Sequence, residues 1–209
     1  MKLLILGATG KTGNLLVRQA LEAGHVVTAL VRSAAGVTTQ SPQLHLVEGS
    51  VLRSKDVEGV VAGQDAVFST LGARGMGETT IYSEPMRVTL EAMRKQGVKR
   101  LICISSGAME KDPAFPLFYT VVIKGIMLRK PYADMARMEA LLRQADDLDW
   151  TVVRPTRFDD GPLTGQYRVS PRFSPPAKGP HVSREDVAHF MLQEASARKY
   201  VHQTPTLAY

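Results

Sequence analysis

Short apolar runs alternate along this chain with stretches whose apolar positions recur at helical spacing. Residues 2–6 form the first run, and an amphipathic stretch over 14–23 follows, closed by Gly24. The runs 25–31, 44–47, 66–71, 98–104 and 150–153 predict five further strands. Between and after them, 54–61, 80–96, 132–144 and 183–194 predict helices. Their ends carry local signals. Ser54 stands as a cap, Gly97 as a left-handed stop, Pro131 before a start, and Ser183 with Asp186 as a capping-box pair. Met135, Met138, Leu141 and Leu142 share one helical stripe. The run 98–104 is apolar nearly throughout, as a strand covered on both faces should be. The alternation predicts one three-layer α/β/α domain over 1–209, a doubly wound parallel sheet with its ligand crevice at the carboxyl ends of the strands. Two stretches break the regularity: 107–116, and a Pro-, Gly- and Arg-rich segment over 157–180, expected to shape the substrate side up to residue 182.

The link between the first strand and the first helix carries chemistry. Residues 7–13 read Gly7, Ala8, Thr9, Gly10, Lys11, Thr12, Gly13, a G-x-x-G-x-x-G turn. Backbone N–H groups at a helix N-terminus can face a pyrophosphate, and the helix dipole favours the negative charge. Gly7 allows the tight turn, Gly10 clears the approach of the phosphates, and Gly13 lets the helix pack close. The pattern opens the first βαβ unit, where a dinucleotide site belongs. A site for NAD usually adds an acidic residue about 20 residues on, bonding the ribose 2′-hydroxyl. Here the second strand ends in Val31, Arg32 and Ser33, with no carboxylate. A guanidinium suits a 2′-phosphate, so Arg32 with Ser33 predicts NADP, with NADPH preferred over NADH.

Composition narrows the class. The 209 residues are 44% hydrophobic and 22% charged, ordinary for a soluble globular protein and enough for one well-buried domain. The formal charge is +6 and the pI about 9.5. The basic residues are scattered, with no block of five or six, which favours anionic small molecules over nucleic acid. The single cysteine, Cys103, excludes an internal disulfide and falls inside a strand pattern, as an inert core thiol would. The opening run is too short for a signal peptide. The longest apolar stretch, 117–128, is broken by Lys124 and falls short of the ~20 residues a membrane span needs. A cytoplasmic protein with no membrane, nucleic-acid or metal partner is expected.

The segments GATGKTG (7–13), LVRS (30–33), GSVL (49–52) and AGQDAVFSTLG (62–72) resemble the atypical short-chain dehydrogenase/reductases. CISS (103–106), RPTRFDDGPLTGQY (154–167) and SREDVAHFML (183–192) narrow the resemblance. They look like the NADPH-dependent biliverdin reductase B/flavin reductase group and its NAD(P)H-binding bacterial relatives, nearly end to end. The resemblance implies a monomeric Rossmann-like fold with NADP lying across the sheet ends. Matching positions imply cofactor contacts at Thr9, Gly10, Lys11, Thr12, Arg32, Ser50, Val51, Leu71, Gly72 and Arg74. They imply others at Ser105, Ser106, Pro155, Thr156, Arg157 and Phe158. Three departures stand out. Gly49-Ser50 replaces a glycine-aspartate pair, Arg157 replaces a histidine of the mammalian members, and Gly107, Ala108, Met109 and Glu110 replace their bulky apolar residues. The acceptor side is therefore this chain's own.

Carbonyl reduction in the wider superfamily uses a tyrosine with a lysine four residues on, behind a serine. The lysine lowers the phenol pKa so that it can protonate the oxygen made basic by hydride attack. Tyr119 follows Ser106 at a suitable distance, but position 123 is Ile and the lysine is Lys124. On a helix that slip turns the side chain by about 100°. A flavin or tetrapyrrole instead spreads the electrons over a π-system and takes protons from water, so it needs orientation more than an acid. The expected activity is hydride transfer from NADPH to FMN, FAD, riboflavin or a similar planar acceptor such as a tetrapyrrole. Ser106, Arg157 and Arg74 are the candidate catalytic residues. The arginines would meet developing negative charge or propionates, and Ser106 the nicotinamide or the acceptor. Met109, Met127, Met135 and Phe115 suit an apolar platform, although methionines at helical spacing fit a core better. The competing expectation is a non-catalytic NADP-binding redox sensor like the NmrA proteins.

Overall fold

The computed structural model describes residues 1–73, 75, 77–109, 129–171 and 181–209. β1 (Lys2–Leu6), α1 (Lys11–Glu22) and β2 (Val26–Val31) make the first unit. β3 (Leu44–Glu48), α2 (Ser54–Val61), β4 (Ala66–Ser69), α3 (Ser83–Gln96) and β5 (Arg100–Ile104) follow. A single 3-10 turn at Gly107–Met109 precedes α4 (Arg129–Arg143) and β6 (Asp149–Pro155). The chain then runs through β7 (Arg157–Asp159), β8 (Arg168–Ser170), β9 (His181–Ser183), α5 (Arg184–Ala197) and β10 (Thr206–Ala208). Eight strands form one sheet in the order β3-β2-β1-β4-β5-β6-β10-β8. This is the expected doubly wound, Rossmann-like α/β fold. The strand order reverses beside β1, which is flanked by β2 and β4, and the crevice of such a sheet lies at that switch point.

The period-two alternation of β1 sorts its side chains between two cores. Leu4 and Leu6 join α2, α3 and α4, while Leu3 and Ile5 join α1 and α5. All four are completely buried. Each such aliphatic side chain contributes roughly 1.5–3 kcal/mol relative to exposure. The interior strand that carries the glycine turn is therefore anchored from both faces.

The structure corrects several element ends. Ser54 is the first residue of α2, not its cap; Arg53 holds the cap position with no side-chain bond. α3 begins at Ser83, because its cap comes from another helix: the Asp134 carboxylate of α4 accepts the Tyr82 N–H at 2.9 Å. Pro131 lies within the first turn of α4, where its missing N–H would have no helical partner. Gly97 does close α3, at φ 69°. Ser183 caps α5 and accepts the Asp186 N–H at 3.0 Å. The reciprocal arm of the box is absent, since the Ser183 N–H goes to the Tyr209 hydroxyl instead. Asp186 turns to the 157–171 segment, accepting the Thr164 and Gly165 N–H groups at 3.0 and 2.8 Å. That segment, read as a loop, carries β7 and β8 among its described residues. β7 pairs with β9 in a two-stranded ribbon, and β8 runs antiparallel to β10, so the main sheet is not parallel throughout. No described helix is long and apolar enough to cross a membrane.

Candidate functional site

Backbone sterics shape the turn after β1. Gly7 has φ +89°, and a Cβ added there would lie 2.8 Å from the Thr70 carbonyl carbon. Gly10 caps α1 without a side-chain bond to the first turn, and its own N–H donates to the Gly7 carbonyl at 3.0 Å. The N–H groups that open α1 thus have no side-chain acceptor, the condition under which a helix start receives phosphate. At Gly13 a Cβ would fall 2.2 Å from the Gly7 oxygen. The close approach that Gly13 permits is to the turn itself. A pyrophosphate fits this cradle, because any side chain at 7 or 13 would displace its walls.

The turn opens on a cleft of about 370 Å³ at the carboxyl ends of β1–β4. Gly7, Thr9 and Gly10 form one end, and Leu30, Val31 and Arg32 leave β2 beside them. Ser50, Val51 and Leu52 follow β3, and Leu71, Gly72 and Ala73 follow β4 on the opposite wall, with Thr79 and Ile81. Eight of the expected cofactor residues thus meet on one cleft: Gly7, Thr9, Gly10, Arg32, Ser50, Val51, Leu71 and Gly72. Arg32 is exposed there and has no ion pair among the described residues. Glu48, in register with Val31, is engaged by the Ala34 N–H at 3.3 Å. The carboxylate absent from position 50 arrives from α2. Asp56 accepts the Ser50 N–H at 2.7 Å and pairs with Arg53 Nε at 2.9 Å.

The other expected residues that the structure describes do not line this cleft. Lys11 Nζ lies 2.9 Å from Asp160 Oδ2, and Arg184 lies 2.5 Å from the other oxygen. The Lys11 ammonium, with Arg184, holds the Asp160 carboxyl below its ordinary value. Thr12 and Gly13 sit in the first turn of α1, and exposed Ser33 precedes a 3-10 turn at Ala34–Gly36. Ser105 is buried, and its hydroxyl donates to Glu139 Oε1 at 2.8 Å. Glu139 also takes Arg154 Nη2 at 2.6 Å and Arg143 Nη2 at 2.9 Å. The Ser105 hydroxyl is therefore committed to a buried ion pair rather than to a cofactor. Pro155 pairs β6 with β10, and the Thr156 hydroxyl donates to the Leu207 carbonyl at 3.0 Å. The Phe158 ring is covered by the Arg184 guanidinium at 4.8 Å, while Arg157 is exposed on β7. Arg74, Glu110, Phe115, Tyr119, Lys124 and Met127 lie outside the described residues.

Residues 7–198 match a family described as NAD(P)H-binding. The chain belongs to this family. Its span starts at the first glycine of the turn and ends one residue past α5. The chain is 29% identical to YwnB of Bacillus subtilis over 183 residues, 80% of this chain and 78% of YwnB. A proposed NADH-flavin reductase from Streptococcus pneumoniae shares the fold with a TM-score of 0.80 at 23% identity, over 100% of this chain and 99% of that one. A wide-type short-chain dehydrogenase/reductase from Veillonella parvula, solved with NADP, gives 0.82 at 18% identity, over 100% and 94% of the two chains. Membership makes this a nicotinamide-nucleotide-binding protein.

A tyrosine beside the exit of β5 went unmarked in the sequence. Tyr132, in the first turn of α4, brings its hydroxyl to 3.4 Å from Ser106 Oγ. That is longer than a normal hydroxyl hydrogen bond. Four residues beyond Tyr132 stands Ala136, where the superfamily's pattern asks for lysine. Arg137 is engaged elsewhere, with Asp134 at 3.1 Å. No local signal marks the pair, since 26 residues separate its members and Tyr132 reads as helix. Cys103 is fully buried, and burial, then the Glu139 charge, pushes its thiol above its ordinary value, so it is no nucleophile. Among the described residues no group of three His, Cys, Asp or Glu could hold a metal ion.

Proposed function

We propose that the protein is an NADPH-dependent reductase that delivers hydride to a flavin or a similar planar conjugated acceptor, with its nucleotide in the β1–β4 cleft. The observation that carries the reading is Arg32, exposed on that cleft beside the glycine turn with no ion pair among the described residues. A guanidinium with no ion pair to give up can offer paired, charge-assisted donors to a 2′-phosphate, and only neutral-acceptor hydrogen bonds to a bare diol. When bound, the nicotinamide supplies the hydride. The opening N–H groups of α1 hold the pyrophosphate, and Arg32 takes the 2′-phosphate. Ser106 and Tyr132 are the hydroxyls that orient the acceptor, and Arg157 adds positive field. Arg74 keeps the same assigned role.

The described surroundings of Tyr132 support this acceptor class. Ala136 stands at the lysine position of the superfamily's pattern, and the neighbouring Arg137 is paired to Asp134. A flavin or tetrapyrrole takes protons from water and asks for orientation only. The name carried by the Streptococcus pneumoniae neighbour is consistent with this class.

Titration with NADPH and NADH tests the first half, and NADPH oxidation with FMN, FAD, riboflavin and biliverdin tests the second. NADPH is expected to bind at least about tenfold more tightly, as charge-assisted hydrogen bonds of roughly 1.5–3 kcal/mol require, with turnover of at least one acceptor. Equal affinities remove the role of Arg32. Tight NADPH binding with no turnover assigns the protein to the non-catalytic redox sensors, a reading that Ala136 also favours.

A further inference from the structure

The wall of the cleft after β4 has no helix or strand of its own at Leu71, Gly72 and Ala73. A side chain from outside the cleft holds it. The Ala73 N–H donates to the Tyr82 phenol oxygen at 3.1 Å. Tyr82 is 8% exposed, and its ring belongs to the core formed with α2, α3 and α4. Its backbone is fixed as well, since its N–H donates to Asp134 Oδ2 at 2.9 Å. Asp134 is completely buried, accepts the Ser83 hydroxyl, and is paired to Arg137 at 3.1 Å.

The arrangement has a physical logic. Tyr82 occupies the cap position of α3 but offers no side-chain cap, so α4 supplies one across 52 residues. A buried carboxylate at a helix start is a firm anchor, because its hydrogen bonds are charge-assisted and the helix dipole reinforces them. Desolvation raises the Tyr82 pKa, with the Asp134 charge adding to it against the opposing Ala73 N–H. The phenol therefore stays neutral. A phenylalanine would fill the same core; only the hydroxyl reaches the wall.

We propose that Tyr82, locked by Asp134, is a positioning residue for the nucleotide: it sets the 71–73 wall, and through it the affinity of the cleft, without touching the cofactor. This role rests on the cleft being the nucleotide site. NADPH titrations and thermal unfolding of the wild type, Tyr82→Phe and Ser83→Ala test it. Tyr82→Phe is expected to weaken NADPH binding about five- to tenfold, with the Tm of the nucleotide-free protein shifted by only a few degrees. Ser83→Ala breaks a bond to the same carboxylate but none to the wall. It is expected to lower Tm and leave affinity within about twofold. Unchanged affinity in Tyr82→Phe overturns the proposal, as does a loss in both variants that simply follows Tm. Hydrogen exchange of the wild type serves if Tyr82→Phe does not fold. The Ala73 amide is expected to be protected without nucleotide and more so with NADPH, and free exchange in both states overturns the role. A wild type with no saturable NADPH binding overturns the assignment of the cleft itself, and the role of Tyr82 with it.

Discussion

The two halves of the sheet's carboxyl end follow opposite electrostatic plans. In the β1–β4 half two polar features of the cleft stay open: Gly10 caps α1 without a side chain, and Arg32 has no ion pair among the described residues. In the β5–β6 half they are closed on one another. Ser105, Glu139, Arg143 and Arg154 form one network, and Thr156 is bonded to the Leu207 carbonyl. An anion that meets Arg32 in the first half breaks no ion pair among the described residues. Loosening the second would strand charge in the core, which costs several kcal/mol per ion. The contrast separates two tasks: recruitment by groups with no bond to give up, and orientation by a frame whose bonds are already made.

Breaking the closed half should have the largest effect. Glu139→Ala removes the buried carboxylate that pairs with Arg154, whose side chain is 2% exposed. It is expected to cost about 3–5 kcal/mol in urea unfolding. A loss below about 1 kcal/mol, the range of surface pairs, would erase the contrast between the halves. Arg32→Ala should have the complementary result. NADPH affinity is expected to fall about 10- to 100-fold, with NADH affinity unchanged and stability within about 0.5 kcal/mol. Equal losses for both nucleotides would turn Arg32 from a 2′-phosphate reader into a general anion attractor.

The smallest expected effect concerns pH. Burial alone would raise the Asp186 carboxyl. The Tyr209 and Thr164 hydroxyls, at 2.6 and 2.7 Å, together with the Gly165 and Thr164 N–H groups, hold it below its ordinary value instead. A carboxyl lowered by folding contributes stability above its unfolded pKa, near 4, and that contribution is lost as pH falls through the folded value. The stability gap between the wild type and Asp186→Asn is therefore expected to narrow from about pH 4 downward, as followed by circular dichroism. A gap independent of pH would show that the Asp186 bonds do not depend on its charge.

The legible part of the site was its local part. The glycine turn could be read because Gly7, Gly10 and Gly13 act on one another within seven residues, and Arg32 because it follows directly from β2. The illegible part joins residues far apart or diverts a residue from its local role. Asp134 meets Tyr82 across 52 residues, Tyr132 meets Ser106 across 26, and Asp186 leaves its capping box for Gly165, 21 residues back. The resemblance implied a cofactor contact at Ser105, but Glu139 on α4 accepts its hydroxyl hydrogen bond.

By itself the sequence determined the α/β alternation, the phosphate-type turn and the cation at the end of β2. Hydrophobic period, backbone sterics and charge are properties of neighbours along the chain. Only the tertiary structure decided which buried carboxylate meets which donor: Glu139 with Ser105 and Arg154, Asp134 with Tyr82, Asp186 with Thr164. A buried polar group must find a partner or pay its desolvation, and which partner is within reach depends on how α3, α4 and α5 settle on the sheet.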